Sequence, residues 1–198
     1  ATAWSRCSIV VSPTTWAVHE FIRQQAGMPI EQYANPVGVN TLQETADGYV
    51  VLAHRATRTP SLDSLGSGFV DRTSGMPDSV ATTVTRECEE ETTYACRAPI
   101  RPETMRVMGL VFGAWYDVGV ITYVPLEAHA KDIQLGSNEH TALYLTPNRR
   151  HDLERILRTA TFEHGPQTIV VKDSMLAAIE RYLICKETGT IRSRYQHP

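Results

Sequence analysis

The sequence predicts an α/β protein in which helices pack on the faces of a mixed β-sheet. Two observations carry this. β-rich runs at 37–45 and 49–55 flank Ala46-Asp47-Gly48, and Asp-Gly between two such runs is the strongest hairpin signal in the chain. Helical stripes also alternate with further strand-like runs. Val80, Val84 and Cys88 recur every four residues, Leu153, Ile156 and Leu157 mark a second stripe, and Leu176, Ile179 and Leu183 a third.

The elements follow in order. Ser8 to Val11 reads as a short strand. Ser12 then caps a helix with Pro13 at its first position, Val18, Phe21 and Ile22 along one side, and Gly27 at its end. Residues 28–36 read as a connector. After the hairpin, 56–67 is rich in Thr, Ser and Pro and reads as a loop, followed by a short extended piece at 68–71. A helix is expected over 78–92, with Asp78 as its cap. Strands are expected at 105–112, 118–124, 142–145 and 167–171. Thr146-Pro147 should open a helix, and Asp173 or Ser174 should cap the last one, which Gly189 ends. The expected organisation is an extension over 1–35, one domain over 36–189, and a tail over 190–198 without periodicity.

Composition narrows the function classes. The 198 residues are 42% hydrophobic and 21% charged, which suits a globular domain able to bury its own core. The formal net charge is −3, so no global basic field gathers polyanions, and nucleic acid is not expected as a partner. No apolar run is long enough to span a bilayer and no signal-peptide pattern opens the chain. The four cysteines (Cys7, Cys88, Cys96 and Cys185) form neither a CxxC pair nor a zinc pattern, and read as reduced, mostly buried thiols of a cytoplasmic protein.

The informative segment is Arg86-Glu87-Cys88-Glu89-Glu90-Glu91. Glu87, Glu90 and Glu91 stand at i, i+3 and i+4, so a helix projects them from one side. Such carboxylates repel one another, and they lie toward the helix C-terminus, the unfavourable end for anions. A divalent cation would relieve both penalties, and oxygen ligands on a rigid helix suit Mg²⁺ or Mn²⁺. A solvated acidic face is the competing reading. Arg86 is placed to bridge to Glu90 one turn on and hold its rotamer.

With these residues the segment resembles the box of the Nudix family, G-x5-E-x7-R-E-U-x-E-E-x-G-U, where U is a bulky aliphatic residue. Arg86, Glu87, Glu90 and Glu91 match its R-E-x-x-E-E core, and Cys88 stands at the first U. Asp78 stands eight residues before Arg86, where the family has Glu, and Gly68-Phe69-Val70-Asp71 is similar to the strand piece that opens the box. Nine residues separate Gly68 from Asp78 where the pattern has five, Thr93 replaces the helix-ending Gly, and Tyr94 takes the last aliphatic place. The resemblance covers residues 36–186 in organisation and implies an α/β/α sandwich with a mixed sheet.

The resemblance also implies an activity: divalent-metal-dependent hydrolysis of a pyrophosphate bond in a nucleoside-diphosphate-linked compound, with Mg²⁺ or Mn²⁺ as cofactor. Glu87, Glu90 and Glu91 would be the metal ligands and Arg86 would orient them. Glu139, in a late acidic turn, is either a general base or further ligand, or an exposed loop carboxylate. Arg55 and Arg58, at the end of the hairpin, would meet substrate phosphates, with surface ion pairs the competing reading. Trp115 would stack on a nucleobase or pack within its hairpin. His54 reads as structural, Glu89 as solvated, and the stretch Arg149, Arg150, Arg155 and Arg158 as a salt-bridged face. The altered box keeps a second class open: a Nudix-like protein that binds a nucleotide derivative without hydrolysing it. Isomerisation of an allylic diphosphate is a third class, unsupported by cysteine placement. A homodimer is compatible with the family pattern, the 1–35 extension being a plausible contact.

Overall fold

The computed structural model describes residues 37–55, 60–71, 77–94, 100–112, 118–136 and 139–192. The expected strand and helix within 1–35 lie outside these residues, as do Arg58, Trp115, Cys7 and Cys96.

Strand β1 (Val37–Glu44) is central. It turns through Asp47-Gly48 into β2 (Tyr49–Arg55), with Glu44 opposite Val50. Gly48 takes φ +83°, and the Asp47 carboxylate accepts from Thr45 Oγ1 (2.7 Å) and from the Ala130 amide (2.9 Å), so the turn is fixed from within and from across the sheet. β1 lies parallel to β7 (Val118–Pro125) along its whole length. β7 in turn pairs antiparallel with β6 (Arg106–Phe112). β2 pairs antiparallel with β9 (His140–Pro147) on one side and with β3 (Ser61–Asp63) on the other.

On its side away from β7, β1 meets β2 at the hairpin end and β4 (Gly68–Phe69) at the opposite end. The two strands therefore part beyond the turn, and the chain from β3 to β4 lies between them.

Side chains alternate across the sheet, as a pleat requires, and each face carries its own core. On one face Leu42, Leu52, Ile121 and Tyr123 pack against α2 (Arg150–Thr159) through Leu153 and Ile156. They also meet α3 (Asp173–Glu187) through Met175, Ile179 and Tyr182. On the other face Val39, Val51, Ala53 and Val124 pack against α1 (Val80–Glu91) through Val84 and Cys88. Burying each of these large side chains stabilises by about 1.5–3 kcal/mol. The result is the expected α/β/α sandwich with a mixed sheet.

Several element-level expectations are corrected. Residues 56–67 are not all loop: β3 forms there because Leu62 is fully buried and the strand completes the edge of β2. The 142–145 strand is longer, because the backbone of β2 pairs with it as far as Pro147, and α2 starts at Arg150 instead of Thr146. The strand expected at 167–171 is present as β11 (Gln167–Val170), and the structure adds β10 (Thr161–His164), not expected, as its antiparallel hairpin partner. The inward stripe of α3 is Met175, Ala178, Ile179, Tyr182 and Cys185, with Leu176 and Leu183 at its margins. The expected tail is not unstructured at its start, since Ile191 is buried in the core. Cys88 and Cys185 are buried free thiols. No described helix is long and apolar enough to cross a membrane.

Candidate active site

The acidic segment lies on α1. Ser79, not Asp78, caps this helix: its Oγ accepts from the Thr82 amide at 3.0 Å, and Asp78 stands before it. Val84 and Cys88 turn into the core, and Gln43 Nε2 of β1 donates to Cys88 Sγ at 3.1 Å, which fixes the helix against the sheet. Burial pushes the Cys88 thiol far up, so it stays protonated and inert.

The helix ends without the glycine of the family pattern for a local reason. Thr92 adopts φ −133°, ψ 147°, its hydroxyl donates to the Cys88 carbonyl, and the chain runs straight into β5 (Thr92–Tyr94), paired antiparallel with β8 (Ile133–Leu135). An extended exit needs no left-handed residue, so Thr is accepted at position 93.

Arg86 organises the exposed part of the acidic face. Its guanidinium lies 2.9 Å from Glu87 Oε1 and 3.4 Å from Glu90 Oε2, and it donates to the Phe69 carbonyl at 3.3 Å. The Glu87 side chain is 13% exposed and Glu90 58%, so the first is sheltered while the second faces water. Glu87 sits against β4, where Gly68 leaves it room: a Cβ on Gly68 would lie 2.1 Å from Glu87 Oε1. The glycine at position 68 is thus a space requirement of Glu87. Burial pushes the Glu87 carboxyl above its usual range. Arg86 opposes this, while Glu90 and Glu139 add to it.

Glu91 is directed differently. It is buried, and its Oε2 accepts from the Gly66 amide at 2.6 Å. Gly66 has φ +70°, and a Cβ there would lie 2.2 Å from Cys88 Sγ, so both conformation and space demand glycine. Burial raises the Glu91 carboxyl to about 7. The Gly66 amide and Arg55 pull it down, whereas Glu139 and Glu87 push it up.

Two elements across from α1 complete the cluster. Arg55 ends β2 beside an irregularity between His54 and Arg55 that re-aims the strand end. Its Nη2 lies 3.3 Å from Glu139 Oε2. Arg55, Glu87, Glu91 and Glu139 thus come within electrostatic reach of one another, with charge excess on the acidic side. Among the described residues no three acidic, His or Cys side chains converge closely enough to enclose a metal. The donor set nevertheless suits a hard divalent cation: carboxylate oxygens on a capped helix, with Glu87 and Glu91 raised first by burial and further by neighbouring carboxylates.

Other expectations settle simply. His54 is engaged by Thr141 Oγ1 at 2.7 Å, Glu89 is exposed, and Arg150 and Arg155 pair with Glu154, Glu187 and Asp152. Sequence reasoning missed Gly66 and Asp63, which sit in the Ser-Leu-Asp-Ser-Leu-Gly-Ser stretch read as loop. The available signal was its pair of leucines, Leu62 and Leu65, both fully buried.

No family profile matches the sequence, and a search of curated proteins finds no match. Solved structures do match. The MutT protein from Methanosarcina mazei Go1 superposes with a TM-score of 0.51 at 21% identity, over 77% of this chain and 96% of that one. The NUDIX domain of Shewanella oneidensis NrtR, complexed with ADP ribose, superposes with a TM-score of 0.51 at 18% identity over 86% and 98%. A bifunctional NMN adenylyltransferase/ADP ribose pyrophosphatase from Francisella tularensis, complexed with AMP and a Mn ion, gives 0.52 at 12% over 87% and 45%. The chain has the Nudix fold.

Proposed function

We propose that the protein hydrolyses a pyrophosphate bond in a nucleoside-diphosphate-linked compound, with Mg²⁺ or Mn²⁺ as cofactor. The observation that carries this reading is Arg86 spanning Glu87 and Glu90 while Gly68 yields the space for the Glu87 carboxylate. On an ordinary solvated face a glycine would not need to make room for one glutamate.

Glu87 and Glu90 are the residues that would hold the ion, with Glu91 behind them. When bound, such an ion neutralises charge on the phosphate oxygens and lowers the pKa of a water molecule. The chain's own groups do the rest. Arg86 keeps two carboxylates in fixed rotamers. Arg55 offers a guanidinium fork to a phosphate. Glu139, exposed beside Arg55, takes the proton from the attacking water. ADP ribose and AMP, held by two neighbours of the same fold, are reason to test ADP-ribose-type compounds first.

A second reading, binding without hydrolysis, has one observation in its favour: the Glu91 carboxylate is engaged by the Gly66 amide instead of converging with the other two. One experiment separates the readings. The protein is incubated with ADP-ribose, other nucleotide sugars, dinucleotides and nucleoside triphosphates plus Mg²⁺ or Mn²⁺, and phosphate is measured after phosphatase treatment. Metal-dependent turnover supports hydrolysis. Binding of a member of the panel with no turnover of any supports the second reading.

A further inference from the structure

Behind Arg55 stands a carboxylate that the proposed chemistry does not use. Asp63, at the end of β3, is buried. Its Oδ1 accepts from the Ser64 amide (2.9 Å) and from Ser174 Oγ (3.1 Å), and its Oδ2 accepts from Lys172 Nζ at 2.7 Å. The same Oδ2 lies 3.8 Å from Arg55 Nη1. The guanidinium is therefore held between a buried carboxylate, fixed by three donors, and Glu139, which is 58% exposed. One of these anions is held in place by its three donors. The other is on the solvent side, where an anionic ligand would compete with it.

We infer that Asp63 is a positioning residue: it anchors Arg55 from behind, so that the guanidinium exchanges Glu139 for the diphosphate of the ligand without swinging away from the acidic helix. Three features support this. Burying an aspartate is costly unless it is paired and hydrogen-bonded. Lys172 and the two hydrogen bonds already meet that need, so the approach to Arg55 is additional to it. A guanidinium presents two edges, and holding one leaves the other oriented for a bidentate contact. The anchor also ties the site to the start of α3, since Lys172 stands at its N-cap position and Ser174 in its first turn, and so to the opposite core. The inference rests on the proposed site, but it concerns ligand binding and is testable without turnover.

The probe is inorganic pyrophosphate with Mg²⁺, titrated by calorimetry into the wild-type chain, Asp63→Asn, Arg55→Met and the double variant. Asn keeps the size and the acceptor for Ser64 and Ser174. Each single change is expected to weaken binding by about tenfold, as loss of a charge-assisted contact does, and the double variant to bind no more weakly than Arg55→Met alone. A merely structural Asp63 would weaken binding equally in both backgrounds. Ser174→Ala, which leaves every charge in place, provides a second route should Asp63→Asn fold poorly. Its loss, about threefold, is expected to vanish in the Arg55→Met background. Additive effects, unchanged binding in Asp63→Asn, or no pyrophosphate binding by the wild-type chain would overturn the inference. Coupled binding in a protein that turns over no substrate would leave it standing and sink the hydrolase reading alone.

Discussion

Gly68 and Glu91 carry the tightest constraints at the residue scale. A methyl at position 68 would occupy the Glu87 carboxylate, so Gly68→Ala must displace either β4 or that side chain. Overpacking of this kind costs about 1–3 kcal/mol, and the displaced group is a metal-ligand candidate. Gly68→Ala is expected to lower the melting temperature and to reduce metal-dependent turnover together; unchanged activity would show that Glu87 need not sit where it does. Glu91 gives a pH dependence. Its carboxyl rises from an ordinary 4.5 to about 7 on folding, so between these values the folded chain binds more protons than the unfolded chain. Stability in the absence of divalent metal should therefore fall as pH rises from 4.5 to 7, by on the order of 3 kcal/mol. Denaturant titrations at several pH values test this, and Glu91→Gln should flatten that part of the profile.

At the scale of elements, the legible features were those whose signal is local. The hairpin at Asp47-Gly48 forms because a turn residue with positive φ is required there, and the stripe Val84 and Cys88 packs inward as its spacing demands. What was not legible depended on partners distant in sequence. β3 exists because Leu62 and Asp63 meet β2, and α2 starts late because Thr146 and Pro147 remain paired with Val50 and Tyr49. The capping of α1 moved one residue, from Asp78 to Ser79, where either side chain is chemically suited. Thr93 was read as a lost glycine cap, yet the exit is extended and paired with Gln134. Restoring the family's glycine is therefore not expected to stabilise the protein. Thr93→Gly should cost up to about 1 kcal/mol through weaker strand propensity, measured by thermal unfolding. A gain in stability would mean that the helix prefers a left-handed end.

For the whole molecule, the central fact is that the sheet separates two cores, and the proposed chemistry belongs to one of them. The α1 face carries the carboxylates. The opposite face buries Glu44, which accepts from Tyr123 Oη (2.7 Å), Tyr182 Oη (2.9 Å) and Asn148 Nδ2 (2.6 Å), and so ties β1 and β7 to α3. The acidic helix was legible as a candidate site because the i, i+3, i+4 spacing of Glu87, Glu90 and Glu91 turns them toward one side of a helix. Its depth was not: Glu91 lies inward against Gly66, and Arg55 and Glu139 reach it only through the pairing of β2 with β9. The proposed activity requires that the acidic face of α1 hydrolyse a diphosphate. The most direct measurement is the steady-state rate of phosphate release at saturating Mg²⁺, compared between the wild-type chain and Glu90→Gln. Glu90 is exposed, so the substitution should leave the melting temperature unchanged while lowering the rate by about a hundredfold or more, roughly 3 kcal/mol of transition-state stabilisation. An equal rate in the two proteins would contradict the assignment of the acidic face of α1 as the catalytic site.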